Sequence, residues 1–462
     1  MIPPKPKSRP DRVSLWRYMR LFRRDILSAQ PERLYSAWMA EFRTPFFQSY
    51  LANDPALVRT ILRERPEDFP KSTRIGEGLR PLLGQSVFLT NGATWERQRR
   101  IIDPAFERGR LGQSLPAMWA AGQAMVARVR DRIGDGLEIE IEEIASHAAA
   151  DAIFRTLFSI PIEDEIAREV FHEFRAYQRS QPILNLAAFV PLPRWMPRFH
   201  SRDTKRAAAR IRTLITRLVS ERMRAIQTGT APDDLATRIM TTPDPLTGDR
   251  FTTAEMVDQV AIFFLAGHET SASALAWALH LCAAAPDWQD RVADEAQGLS
   301  APNDVKRLTS SRDVFRETLR LYPPVPMMVR QSTKSETFRK RAIPKAAQLV
   351  LSPWHLHRHT RLWSNPDLFD PSRWQTDEAR QSARDAYLPF SAGPRVCPGA
   401  GFAMAEGPLL LSLFLRDIQL TEIAGKRPDP VAHLTVRARD GIWLRAQPRH
   451  PADTDSDIST DG

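Results

Sequence analysis

The chain has 462 residues, 42% of them hydrophobic, enough for a sizeable core. Its 65 basic and 55 acidic residues leave a net charge of +10 with no polybasic block, which argues against nucleic acid and for an acidic protein partner. Two cysteines, Cys282 and Cys397, exclude a disulfide framework; with no signal peptide and no apolar run of about 20 residues, a cytoplasmic protein is expected.

Residues 1–10 are basic and Pro-rich and read as disordered. Leu15, Trp16, Met19, Phe22, Ile26 and Leu27 then recur at helical spacing, with Arg12, Arg17, Arg20, Arg23 and Arg24 between them. The plain expectation is a helix packed on the domain; the alternative is peripheral contact with a membrane surface. Residues 42–52 read as short strands, and Asn53-Asp54-Pro55 starts a helix. Trp95 and Arg99, four apart, share one helix face. Arg97 and Arg100 point the other way and are expected to meet an acidic partner. From 115 to 230 the pattern is helical, broken by the apolar, Pro-rich stretch 181–197, which reads as a lid, a membrane-touching patch or a buried connector.

Thr252-Thr253-Ala254-Glu255 resembles a capping box. The apolar helix that follows, to about Ala285, spans about 45 Å at 1.5 Å per residue and should cross the core. Midway it carries Ala266-Gly267-His268-Glu269-Thr270. Gly costs a helix about 1 kcal/mol relative to Ala, and a buried acid costs more unless paired. Function explains both: Gly267 leaves space against a flat ligand, and Thr270 can bond back to a carbonyl. His268, facing away, reads as a satisfied neighbour group. Glu317 and Arg320 share a helix whose flanks, Val314, Phe315, Leu319 and Leu321, argue for burial. Arg330 falls in a strand-like stretch, and Gln348 to His357 reads as a further strand. His355, His357 and His359 alternate, but no fourth ligand accompanies them to make a zinc site.

Cys397 sits in Phe390-Ser391-Ala392-Gly393-Pro394-Arg395-Val396-Cys397-Pro398-Gly399. A soft thiolate in a stiff turn is a good iron ligand. Gly393 and Gly399 let the backbone approach a flat cofactor, Arg395 can offer donors to a carboxylate, and Phe390 can cover the sulfur. A helix from Ala400 to about Leu415 would point its positive end at the thiolate. After it, residues 433–446 alternate around Arg439-Asp440-Gly441, a hairpin signal.

Phe390, Gly393, Arg395, Cys397 and Gly399 resemble the heme-ligand signature of the cytochrome P-450 family, and other landmarks from about residue 40 to 447 stand in family order. The resemblance implies a mainly helical fold: one large domain, 40–450, with small peripheral β-sheets, preceded by the basic segment and amphipathic helix of 1–39 and followed by an acidic, disordered tail, 451–462. It implies heme b on the Cys397 thiolate, propionates held by Trp95, Arg99, Arg330 and Arg395, and oxygen activation by Ala266, Gly267, Glu269 and Thr270. It also implies a structural ion network of Glu317, Arg320 and Arg373. The implied reaction is insertion of one atom of O2 into a lipophilic substrate. Electrons would come from an external ferredoxin or flavodoxin with its NAD(P)H reductase, and a monomer is expected. A peroxide-using relative would not need the Glu269-Thr270 pair, and a heme sensor would need no proton relay.

Overall fold

Thr252 and Glu255 cap each other reciprocally, as the sequence implies, and start the longest helix, Thr253–Ala283. Its 31 residues span about 46 Å. They are buried almost throughout because the helix is apolar on nearly every face. The computed structural model describes residues 1–43, 48–133, 136–180, 201–432 and 434–449. Helices Ile141–Phe158, Arg202–Gln227, Ser310–Leu321 and Ala400–Asp417 pack on the central helix, and Leu115–Ile133 packs on the first and last of these four. Trp277 of the central helix stacks on Tyr322 with ring centroids 4.0 Å apart, joining it to the end of the Ser310–Leu321 helix.

Four small sheets lie outside this helical body. β1 (Met39–Arg43) and β2 (Gln48–Ala52) form an antiparallel pair, as the 42–52 stretch suggests; its turn lies outside the described residues. β3 (Leu137–Glu140) interrupts the 115–230 run. β4 (Met328–Gln331), β5 (Glu336–Phe338), β6 (Arg341–Ile343) and β7 (Gln348–Leu351) follow the Ser310–Leu321 helix. β7 joins β2 in parallel and β4 antiparallel, giving the order β1-β2-β7-β4. The expected strand to His357 ends at Leu351. There Ser352 accepts from the His355 amide and Pro353 takes the first position of a short helix, Pro353–Leu356. β8 (Ile418–Glu422), β9 (Pro430–Ala432), β10 (Val436–Ala438) and β11 (Trp443–Pro448) end the fold. The hairpin expected within 433–446 does not form: β10 pairs with β9, and β11 leaves to pair with β3 and β8. Gly441, at φ 78°, makes the turn, but the strands on its two sides join different sheets.

The N-terminal segment, expected to be disordered, lies on the domain. Tyr322 Oη donates to the Pro4 carbonyl at 2.6 Å, Lys5 pairs with Asp367 at 2.8 Å, and Arg9 is buried against the Ala29 carbonyl. Prolines that limit the unfolded chain lower the entropy lost in fixing it there. The basic helix forms as Leu15–Arg24, capped by Ser14. Tyr18 is buried, with its ring centroid 4.3 Å from that of Phe42. Trp16, placed by its spacing on the apolar stripe, is 81% exposed. The 181–197 stretch and the acidic tail lie outside the described residues.

Candidate active site

Two elements present accessible surface where their apolar surroundings lead one to expect none. One is the middle of the central helix: Ala266 is exposed and Thr270 half-buried, between the buried runs Met256–Leu265 and Ala272–Ala283. The other is the cysteine loop, where Cys397 is exposed and Phe390 half-buried. The Ala400–Asp417 helix, which starts three residues after Cys397, packs on the central helix and so holds the two elements to each other.

The loop is shaped by its backbone. The Cys397 amide donates to the Phe390 carbonyl at 2.9 Å, closing the turn. Gly393 has φ 68°, and a Cβ there would lie 1.8 Å from the Leu62 carbonyl oxygen. That glycine is required by a neighbouring segment of the chain as well as by its backbone angle. Gly399 leads into the Ala400–Asp417 helix, and a Cβ on it would lie 3.9 Å from Cys397 Sγ. Depth in the protein pushes the Cys397 thiol up, while the Gly399 N–H and then Arg99 favour the thiolate.

On the central helix, Thr270 Oγ1 donates to the Ala266 carbonyl at 2.6 Å, the back-bond its position implies. Gly267 corrects its sequence reading. A Cβ on Gly267 would lie 3.0 Å from Ile153 Cδ1, so its missing side chain admits the Ile141–Phe158 helix rather than a flat ligand. His268 is fully buried with Nε2 2.8 Å from Ser146 Oγ, and burial holds its imidazole down to about 3. Glu269 is buried and paired: Thr435 Oγ1 donates to it at 2.7 Å and Arg437 lies 2.7 Å away. Spacing had no means of supplying these partners, which come from the far end of the chain. Nor did it find Glu406, whose carboxyl accepts from Ser271 Oγ at 2.5 Å. Burial pushes this carboxyl up to about 8, so it is a neutral tie between the cysteine helix and the central helix at pH 7.

The third group is a cluster of cations. Arg395 lies over the buried Trp95 ring at 4.3 Å and donates to Asn91 Oδ1 at 3.0 Å, while its buried Nε has no partner among the described residues. Arg99, from the same helix as Trp95 (Gly92–Ile102), donates to the Val396 carbonyl at 2.7 Å and pairs with Asp103. Arg330 is buried on β4, and burial and then Arg395 bring its guanidinium down to about 10. Lys71, bridged to Arg330 through the backbone, was missed in the sequence because it belongs to no motif. Burial brings its amine down to about 6, with Arg395, Arg330 and Arg99 adding to the effect. Three guanidiniums with Asp103 as the ion-pair partner, beside a lysine that would gain its charge next to an anion, need further anions. Two propionates supply that charge, so the residues fit heme b.

Heme binding by this cluster has a pH signature. A cation with a depressed pKa binds fewer protons in the folded chain than in the unfolded one, so Lys71 opposes stability progressively as pH falls from about 10.5 toward 6. Propionates beside it reverse that effect. Heme uptake by cofactor-free protein at pH 8 should therefore take up a proton, read from the buffer dependence of the binding heat, and Lys71→Met should abolish it. Arg395→Ala should raise heme loss on the order of tenfold or more, since a charge-assisted bond contributes about 1.5–3 kcal/mol. Unchanged heat and retention in these variants would remove the cluster from cofactor binding.

Arg97 and Arg100 correct their expectation. Arg97 pairs with Glu255 at 2.6 Å, and Arg100 holds Asp244 with two bonds of 2.7 and 2.9 Å. Arg97 thus reaches the first turn of the central helix and Arg100 the loop before it, so these guanidiniums are already committed. The expected ion network does assemble. Glu317 and Arg320 are fully buried and joined by bonds of 2.8 and 2.9 Å, and Arg373 reaches Glu317 at 2.9 Å. Arg320 also donates to the His357, Pro366 and Leu368 carbonyls, which use its remaining protons. Of the three alternating histidines, His357 accepts from the Leu388 amide, His355 faces Ser352, and His359 stacks on Trp38.

A sequence profile described as Cytochrome P450 matches residues 40–444. Cyclooctat-9-en-7-ol 5-monooxygenase of Streptomyces melanosporofaciens is 32% identical over 400 residues, 84% of this chain and 83% of that protein. A cytokinin hydroxylase of Arabidopsis thaliana is 27% identical over 431 residues, 90% of this chain and 83% of that one. The crystal structure of the cytochrome P450DA heme domain superposes with a TM-score of 0.79 at 24% identity, covering 97% of this chain and 98% of that one, a likeness of fold. With the cysteine loop, the cation cluster and a profile match over most of its length, the chain belongs to the cytochrome P450 family.

Proposed function

We propose that Cys397 would hold heme iron and that Glu269 and Thr270 would supply the protons the reaction takes up. The chain is a heme-thiolate monooxygenase that takes electrons from an external redox partner. When bound, the heme supplies the O2 chemistry, with the thiolate favouring O–O cleavage. The protein's own residues do the rest. The cation cluster around Arg395 fixes the propionates, the apolar central helix limits water, and Thr270 presents a hydroxyl whose helix also carries an acid. The observation that carries this reading is the placing of accessible Cys397 and accessible Ala266 and Thr270 on two helical units packed together in an apolar core. The reduced, CO-treated protein should show the strongly red-shifted absorption of thiolate ligation. Cys397→His should lose it and Cys282→Ala should keep it; the reverse pattern would assign the ligand to Cys282.

The substrate is proposed to be a lipophilic molecule such as a terpenoid, fatty acid or steroid. The alcohol in one relative's name, cyclooctat-9-en-7-ol, is a first probe, read by heme spin-state shift. The electron donor is proposed to be an acidic ferredoxin or flavodoxin, suited to the net charge of +10. Two free cysteines suit a cytoplasmic setting. No described helix is long and apolar enough to cross a membrane. Exposed Trp16 among exposed Arg12, Arg17, Arg20, Arg23 and Arg24 supports peripheral contact with an anionic membrane surface.

A further inference from the structure

Glu142 is a half-buried acid that none of the site motifs includes. It lies on the Ile141–Phe158 helix, four residues before Ser146, and therefore one turn along the same face. Ser146 touches His268 of the central helix at 2.8 Å, and Glu269 is the next residue there. β10 and the residue before it close over both carboxylates. The Ala438 amide donates to Glu142 Oε1 at 2.8 Å, Thr435 Oγ1 donates to Glu269 Oε1 at 2.7 Å, and Arg437 pairs with Glu269 at 2.7 Å. Four consecutive residues, 435–438, thus hold two acids, with the Arg437 guanidinium paired to Glu269. Glu269 Oε2 is buried and has no hydrogen-bond partner among the described residues. Toward solvent, Glu140 accepts the Glu142 and Glu143 amides and caps the helix.

We infer that Glu142 is the outer station of the proton path, passing protons from solvent to Glu269 and through it to Thr270. This rests on the reading of Glu269 and Thr270 as the proton-supplying pair. Arg437 pairs with Glu269 and acts on Glu142 only at longer range, so the cluster favours keeping a proton on Glu142. Burial, first of all, pushes the Glu142 carboxyl up to about 7; the Ala438 N–H and Arg437 oppose this, while Glu140 and Glu269 add to it. Glu143, beside it in sequence, turns to Arg175 at 3.2 Å. His268 does not compete as a donor, because burial keeps its imidazole neutral. A group that exchanges its proton near neutrality, with solvent on one side and an unpartnered carboxylate oxygen on the other, suits a relay.

The step balances. In a turnover, one substrate molecule RH, one O2, two electrons from the redox partner and two protons yield one hydroxylated product ROH and one water. Each proton takes the same route: the Glu142 O–H breaks as a proton arrives, through a bridging water, on Glu269 Oε2, Glu269 passes its proton on toward Thr270, and the Glu142 carboxylate left behind is reprotonated from solvent.

The test uses the heme-loaded full chain. In an infrared pH titration read as the difference between wild type and Glu142→Gln, which cancels the Glu406 carboxyl, a protonated-carboxyl band should fade as pH rises through about 7; the variant's amide oxygen can still accept from Ala438. O2 uptake with a ferredoxin and its reductase, and no added substrate, should divide between water and hydrogen peroxide. Glu142→Gln should lower the water-forming share on the order of tenfold, below the full general-acid contribution of about 10²–10⁴, and flatten its pH dependence. Glu142→Asp should restore that dependence in part. Arg437→Gln, which removes the cation that opposes the rise of the Glu142 carboxyl, should move the wild-type midpoint upward. The absence of a difference band between wild type and Glu142→Gln, a water share equal to wild type across about pH 6 to 8, or an unmoved midpoint in Arg437→Gln each overturns the relay. Thr270→Ala run in parallel separates the two readings. If it raises peroxide while Glu142→Gln does not, only the outer station fails; if neither does, the Glu269–Thr270 reading fails with it.

Discussion

Glu317→Ala should give insoluble or heme-free protein. Its carboxylate is the common partner of Arg320 and Arg373 and also accepts the Asp370 amide at 3.0 Å. Removing it leaves two guanidiniums buried without their counter-charge, and breaking such a pair costs about 3–5 kcal/mol. That is a large fraction of the roughly 5–15 kcal/mol that holds a typical domain folded. The segment from His357 to Arg373 would suffer first, because Arg320 and Arg373 together hold its carbonyls. Glu317→Gln keeps the shape but removes the charge, and should be intermediate. The measurement is soluble yield with heme-to-protein ratio; well-folded, heme-replete Glu317→Ala would show that the network contributes little to stability.

Thr270→Ala should fold, bind heme and consume O2, yet release hydrogen peroxide in place of most product. The substitution removes one hydroxyl that is half-buried and, among the described residues, bonded only within its own helix turn, to the Ala266 carbonyl, so packing changes little. What is lost is a donor and acceptor set beside an acid in an apolar wall. Positioned proton transfer typically contributes about 10²–10⁴-fold, so product formed per electron consumed should fall on the order of tenfold or more. Thr270→Ser keeps the hydroxyl and should recover much of the coupling. Equal coupling in wild type and Thr270→Ala would reject the residue's role and reopen the peroxide-using and sensor readings.

The capping box at Thr252, the back-bond of Thr270 and the burial of Glu317 and Arg320 were all legible because each depends on residues within a few positions of one another. The errors have a different origin. Alternation around Gly441 marks a pleated chain and a turn, but not which strand each half will pair with. The Gln348–His357 run reads as a strand throughout, yet Ser352-Pro353 offers a helix cap that ends it at Leu351. Gly267 was read as space for a ligand, when the same lack of a Cβ serves the crossing of two helices at Ile153.

By itself the sequence determined the cysteine loop, the acid beside Thr270 on a long apolar helix and the residues of the Glu317 network. Short-range spacing and residue chemistry suffice for these. The tertiary structure alone decided who partners whom. It put Arg437 on Glu269 across 168 positions and Glu406 behind Ser271 across 135. It brought Lys71 to Arg330, and it used Arg97 and Arg100 on Glu255 and Asp244. A charge acts over a few ångströms in space, and the sequence carries no measure of that distance between residues far apart in the chain.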